Sequence, residues 1–160
     1  MEISCKIDMA GFTKAINALP DEMMRQTRLA LKESAQLLIE EARNEYDSAS
    51  RKHTKDGRRI EQSIKQKQSD DGQSVTVYLD EKYCPYVKYV HDGTKDHFVS
   101  PDKAKALHWV SGGQSFFSKG HMVSGIEKDP FLYNAAKANT ERIFDMIKSR
   151  ISTAIKQAGF

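Results

Sequence analysis

Histidine is the residue type in this chain with the widest chemical range, and there are five. His91 and His97 stand beside Asp92 and Asp96, with His108 and His121 further on. A zinc site asks for His at i, i+4 on one helix face or for a Cys/His set, and a His-x5-His pair across an expected loop offers neither. A hydrolase or nuclease would have to be built from His91, Asp92 and His97. The plainer expectation is that His91 ends a short helix, where an imidazolium meets the last carbonyls, and that His108 alternates with Leu107 and Trp109 on a strand. Nucleophile and phosphate-cradle motifs of the G-x-S-x-G, G-x-x-x-x-G-K-[ST] and G-x-G-x-x-G types are absent from the sequence. Cys84 lies between Tyr83 and Pro85-Tyr86, a setting for packing and not for an accessible thiolate. No catalytic, metal or cofactor site is assigned, and the chain is expected not to be an enzyme.

Two other residue groups point to binding. Arg51, Lys52, Lys55, Arg58, Arg59, Lys65 and Lys67 stand against only Asp56 and Glu61, directly after a stretch carrying Glu33, Glu40, Glu41, Glu45 and Asp47. An acidic helix therefore runs into a basic loop, fit for a phosphate or an acidic protein surface or simply for solvent. No aromatic interleaves Arg51 to Lys67 to stack on bases. The bulky side chains Tyr78, Tyr89, Trp109, Phe116, Phe117 and Phe131 form the second group. Alternation along a sheet sends some of them away from the core, where they suggest a partner, although burial is their commoner fate.

The elements that must carry these residues fit one domain. A chain of 160 residues buries roughly 70% of its unfolded surface. With 39% hydrophobic and 29% charged residues, nine Gly and four Pro, it has the composition of a globular protein. A net charge of +3 falls short of what announces nucleic-acid binding on charge alone. The apolar runs are too short for a membrane helix, and MEISCKID lacks an apolar leader, so neither secretion nor membrane insertion is expected. Cys5 and Cys84 are too few for a disulfide framework.

Alternation of Ile3, Cys5, Ile7 and Met9 predicts a strand. Phe12, Ile16 and Leu19 predict a short helix, and Pro20-Asp21 caps a long one whose inner face is Met24, Leu31, Ala35, Leu38 and Ala42, running to about Tyr46. Residues 48–59 read as a mobile loop, and Ile60 and Ile64 as a brief helix. A hairpin follows, turning at Asp70-Asp71-Gly72, with Val75, Val77 and Leu79 inward. Tyr83 to Asp92 predicts a short buried helix stopped at Gly93, and Thr94 to Asp102 a loop. A second hairpin, Ala106–Val110 and Ser115–Ser118, turns at Gly112-Gly113. Asp129-Pro130 opens a long final helix with Leu132, Ala136, Ile143, Ile147, Ile151, Ala154 and Ala158 on one face. The expected fold is α+β: a small, mostly antiparallel sheet of two hairpins plus an N-terminal strand, packed against a long N-terminal and a long C-terminal helix in a single domain, 1–160.

In this order the punctuation resembles the neck and tail-completion proteins of long, non-contractile-tailed phages and prophages, also called head-tail joining or minor tail components. The resemblance runs from Gly11 to about Ile155. It rests on Gly11 to Pro20 before a long helix; Asp56-Gly57 with Ile60 and Ser63-Ile64; and Tyr86, Tyr89, Val90, His91, Gly93 and Thr94. His97, Pro101, Ala106-Leu107-His108-Trp109, Phe116-Phe117 and Asp129-Pro130-Phe131-Leu132 complete it. Tyr86, Tyr89, His91, Gly93, Thr94, Pro101, Trp109, Pro130 and Phe131 form the fold-specifying set. Gly93 suits a positive φ, Thr94 a local turn bond, Pro101 a rigid loop and Pro130 a helix start. Val87 stands where such proteins often have Ala.

The resemblance implies a structural virion subunit of the neck or upper tail, made in the host cytoplasm, that completes the tail and joins it to the head. Connector, terminator or tail-tube proteins would be its partners, together with copies of itself in a ring. DNA would meet it only in passing through the neck. Arg51, Lys55, Arg58, Arg59, Lys95, His97, Phe116 and Phe117 are the candidate assembly contacts. The alternative is a basic accessory protein that binds nucleic acid through the Arg51 to Lys67 patch.

Overall fold

Val75, Val77 and Leu79 are buried on one strand, and the rest of the molecule is arranged around it. The computed structural model describes residues 3–9, 21–48 and 57–157. In chain order the elements are β1 (Ser4–Asp8), α1 (Asp21–Ser48), α2 (Gly57–Ser63), β2 (Ile64–Gln68), β3 (Ser74–Leu79), α3 (Val87–Asp92), β4 (His97–Val99), β5 (Leu107–Ser111), β6 (Gln114–Ser118), β7 (His121–Val123) and α4 (Phe131–Gln157). The fold is α+β, as expected, with small antiparallel sheets and two long helices packed on each other.

The central sheet has the order β1-β3-β2. Cys5 lies opposite Val77 on one side of β3, and Gln66 on the other, both antiparallel. Ile3 is buried, and Cys5, Ile7 and Met9 pack against the core, so the period-two reading of β1 holds. Between β2 and β3 the Asp71 carboxylate accepts hydrogen bonds from Ser69 Oγ and from the Gln73 amide at 2.9 Å. These bonds hold its pKa below the usual carboxylate value, the Ser69 hydroxyl contributing most.

α1 and α4 run antiparallel, since Glu41 pairs with Arg142 at 2.8 Å and Glu33 with Arg150 further along. Leu31, Ala35, Leu38 and Ala42 face inward as their spacing predicts, but Met24 is exposed and Met23 is buried in its place. The inner stripe descends through Thr27 to Met23. The Thr27 hydroxyl donates to the Met23 carbonyl at 2.9 Å and Ser34 to Ala30 at 2.7 Å, so both hydroxyls are buried without an unmet bond. A pattern of apolar residues alone discards them and slips by one position. On α4, Leu132, Ile143, Ile147, Ile151 and Ala154 face inward as expected. Phe131 N–H donates to Asp129 O at 2.8 Å, and Asn134 N–H to Pro130 O at 2.9 Å, where the helix opens.

Several boundaries differ from the sequence reading. α1 continues through Ser48, and α2 opens at Gly57, so helix enters the expected 48–59 loop from both sides. Residues 49–56, the helix expected at Phe12 to Leu19, and Ala158 lie outside the described residues. The second hairpin, β5–β6, forms a sheet of its own and does not extend the central one. The Thr94–Asp102 loop contains β4, which pairs with β7, His97 opposite Val123 and Val99 opposite His121. Three residues per strand give no period to read, and the partner lies more than twenty positions away.

Candidate assembly surface

The chain from Gly93 to Lys128 contributes no side chain to the hydrophobic core. It leaves the body after α3 and returns just before α4, as an arm with β4–β7 at its base and β5–β6 at its tip. Gly112 and Gly113 have φ of 57° and 80°, the pair of positive values that a type I′ hairpin turn requires. Both faces of the tip are open. Trp109 stacks on Phe116, ring centroids 5.7 Å apart, and tilts over His121 at 5.1 Å. On the other face His108 stacks on Phe117 at 4.7 Å, with Phe117 70% exposed. Phe98 and Met122, opposite each other on β4 and β7, are also exposed. These apolar side chains lie outside the core on open surface, and exposed apolar patches are where interaction sites are sought.

The root of the arm gathers most of the fold-specifying set. His91 is fully buried, with Phe131 and Tyr133 edge-on to its ring at 5.3 and 4.7 Å. Its Nδ1 lies 2.9 Å from Asp92 Oδ1. A carboxylate accepts, so Nδ1 carries the proton, and Nε2 is left buried without a hydrogen bond. In place of the expected contact with the last carbonyls of α3, the His91 ring packs in the core against Phe131, at the start of α4 where the chain returns from the arm. Tyr133 has its pKa raised, chiefly by desolvation, with the Cys5 and Asp92 charges adding to it.

Gly93 has φ of 74°, as the helix stop predicts, and a Cβ there would meet the Ile126 carbonyl and Lys128 amide at 2.9 Å. Thr94 does not bond within its own turn. Its amide donates to Ile126 O and its Oγ1 accepts from Ile126 N, both at 2.9 Å, which ties the outgoing strand to the returning one. The Asp96 carboxylate accepts from Gly125 N at 2.7 Å. Val87 is fully buried, so the larger side chain is accommodated. Pro101 and Trp109 lie out on the arm, away from this joint in the chain, and Tyr86, Tyr89 and Pro130 flank it.

Between α3 and the base of the arm lies an open groove of about 560 Å³. Tyr86, Tyr89, Val123 and Ile126 form its apolar walls, with Lys95 and His97 on its lining and no carboxylate among the lining residues. His97 Nδ1 donates to the Lys95 carbonyl at 3.1 Å.

Of the candidate contacts, Lys95 and His97 thus meet in the groove, while Phe116 and Phe117 lie together at the arm's tip. Arg59 belongs to a different cluster: its Nε donates to Tyr83 O at 3.1 Å, and both Arg59 and Lys65 lie over the Tyr83 ring, at 5.8 and 5.3 Å. The basic stretch does therefore meet an aromatic, one that sequence order hides, but the contacts knit α2 and β2 to the segment before α3. Arg51 and Lys55, and the side chain of Arg58, lie outside the described residues. Phe98, Met122 and the groove itself went unread; the signal was the apolar His97-Phe98-Val99 run inside an expected loop. Cys84 is buried, and burial raises the pKa of the half-buried Cys5 thiol. Among the described residues no cluster of His, Cys, Asp and Glu could hold a metal ion, and no helix is long and apolar enough to cross a membrane. Comparison with protein-family models, curated proteins and solved structures found no match.

Proposed function

We propose that this protein is a structural subunit of the neck or upper tail of a long, non-contractile-tailed phage, completing the tail and joining it to the head by assembly with connector, terminator or tail-tube proteins. The observation that carries the reading is the arm. No side chain of the arm enters the core, yet the arm holds Trp109, Phe116, Phe117, Phe98 and Met122 on open surface. A projecting two-stranded element with free edges and aromatic faces gives a neighbour both side-chain and main-chain contacts. The ordered residues that carry the resemblance to tail-completion proteins fit the same reading, because Tyr86, Tyr89, His91, Gly93, Thr94, Pro130 and Phe131 all surround the point where the arm joins the body. In this reading those residues place an arm and do not carry out a reaction.

The test is electron microscopy of lysates in which this gene carries an in-frame deletion. Filled heads beside separate tails are expected, with joined particles restored by the wild-type protein and not by Phe116→Ser/Phe117→Ser. Normal joined particles from the deletion strain would reject the joining role.

A further inference from the structure

We infer that the outer edge of β2 is a docking site for an extended, acidic segment of a partner protein, which adds to the central sheet as a fourth strand. β2 ends the sheet order β1-β3-β2, so only one of its sides is paired. At its two ends Ser63 O accepts from the Asp80 amide at 2.8 Å, and the Ser69 amide donates to Ser74 O at 2.9 Å. In that register residues 63, 65, 67 and 69 turn their main-chain groups to β3, and those of Gln66 and Gln68 point outward. Among the described residues nothing bonds to these outward groups. An unpaired edge of this kind recognises main chain in the extended conformation.

The side chains beside the edge select which extended chain it takes. α1 runs antiparallel to β2: Arg28 donates to Asp71 O at the turn and Arg43 to Glu61 O at the other end, both at 3.3 Å. Between them Lys32, Gln66, Gln68 and Val75 line an open pocket of about 240 Å³ on the inner side of the edge. Gln66 Oε1, in its wall, is buried without a hydrogen bond. Lys65 and Lys67 lie on the other side of the edge, opposite Tyr78 and Thr76. Lys32 and Lys67 are exposed and have no ion-pair partner among the described residues. On α1, Glu33 and Glu41 turn to α4, and Glu40 accepts from Gln36. Asp71 is held within its turn, and Asp70 and Glu61 lie beyond the ends of β2. Cations thus flank both sides of the edge, and like charges oppose a second copy of β2 there. The complement is a strand with carboxylates toward Lys65 and Lys67 and a compact apolar side chain in the pocket beside Val75. On the far edge of the sheet, in β1, Lys6 is already neutralised by Asp8 at 2.7 Å. The partner is defined by this chemistry alone, so the inference holds or fails independently of the joining role.

The probe is a fluorescent peptide of alternating glutamate and valine, as long as β2, titrated with the full chain and read by anisotropy. Saturable binding is expected. Exchange of the Gln66 and Gln68 amides, fast in the free protein, is expected to slow on binding, while the Lys65 and Lys67 amides are slow throughout. Lys32→Glu and Lys67→Glu should each weaken binding roughly fivefold. Gln68→Pro should weaken it about tenfold or more, since proline removes an outward amide and leaves the β2–β3 ladder whole. Unchanged far-ultraviolet circular dichroism verifies that the variants fold, and a peptide N-methylated along the edge that faces β2 tests the same bonds without altering the protein. Absence of binding at about millimolar peptide overturns the inference. So does binding indifferent to Gln68→Pro and to N-methylation, which would reduce it to charge attraction. A single-stranded oligonucleotide of equal charge that binds more tightly, with the same lysine dependence, would overturn it in favour of phosphate.

Discussion

Phe131→Ala and Phe117→Ala remove the same atoms from the same residue type and are expected to differ severalfold in cost. Phe131 is fully buried, its ring packed edge-on to Tyr46 and to His91 at 5.3 Å each. Truncation there leaves a cavity bounded by two rings on separate elements, so little of it can collapse, and the cost falls at about 3–5 kcal/mol. Burying a whole Phe side chain is worth about 1.5–3 kcal/mol. Phe117, at 70% exposed, retains under a third of that, below about 1 kcal/mol, and its stacking partner His108 is also on the arm. For a chain of this length each kcal/mol moves the melting temperature by roughly 2–4 °C. Phe131→Ala should therefore melt roughly 10 °C below the wild type and Phe117→Ala within about 3 °C of it. Calorimetry together with urea unfolding decides the matter, since a true stability change moves the urea midpoint while leaving the slope unchanged. If Phe117→Ala costs as much as Phe131→Ala, the arm belongs to the cooperative core, and the division into body and arm is wrong.

Gly93→Ala is expected to destabilise the root of the arm by about 1–3 kcal/mol, because it forces a Cβ into positive φ and against the Ile126 carbonyl; faster amide exchange at Thr94 and Ile126 reports it. Asp71 has a lowered pKa in the folded state, so its contribution to the turn is complete above the ordinary carboxylate pKa near ~4 and is lost as pH falls through the lower folded value. Asp71→Asn should abolish the acid-dependent shift of the Gln73 amide resonance, and a shift that survives would assign the effect to another group. The raised pKa of Cys5 keeps its thiolate scarce near neutral pH. Iodoacetamide should accordingly modify the native protein far more slowly than the urea-unfolded chain, and equal rates would contradict the packing of β1.

Periodicity is a local property, and where a run of apolar residues forms the face that meets the core it is legible in the sequence. β3 shows this with Val75, Val77 and Leu79, as does α4 from Ile143 to Ala154. Turn chemistry was legible for the same reason: Asp71-Gly72, Gly93 and Gly112-Gly113 each answer to the backbone of a few residues. On α1 the spacing reads Leu31, Ala35, Leu38 and Ala42 correctly and errs only at the first turn, where Met23 and not Met24 is buried, because Thr27 hides its hydroxyl in the helix's own carbonyls and so carries the inner face down to Met23. What only the tertiary structure decided is what the long-range contacts decide. β4 finds β7, Thr94 is tied to Ile126, Phe131 draws His91 inward, and the second hairpin stands apart from the central sheet. A short strand or a single threonine carries too little local energy to declare its partner, and whether Phe117 or Phe131 is buried depends on the closing of the whole chain. Residue types in sequence identified aromatics in search of a partner; folding decided which of them complete the core and which remain on the arm.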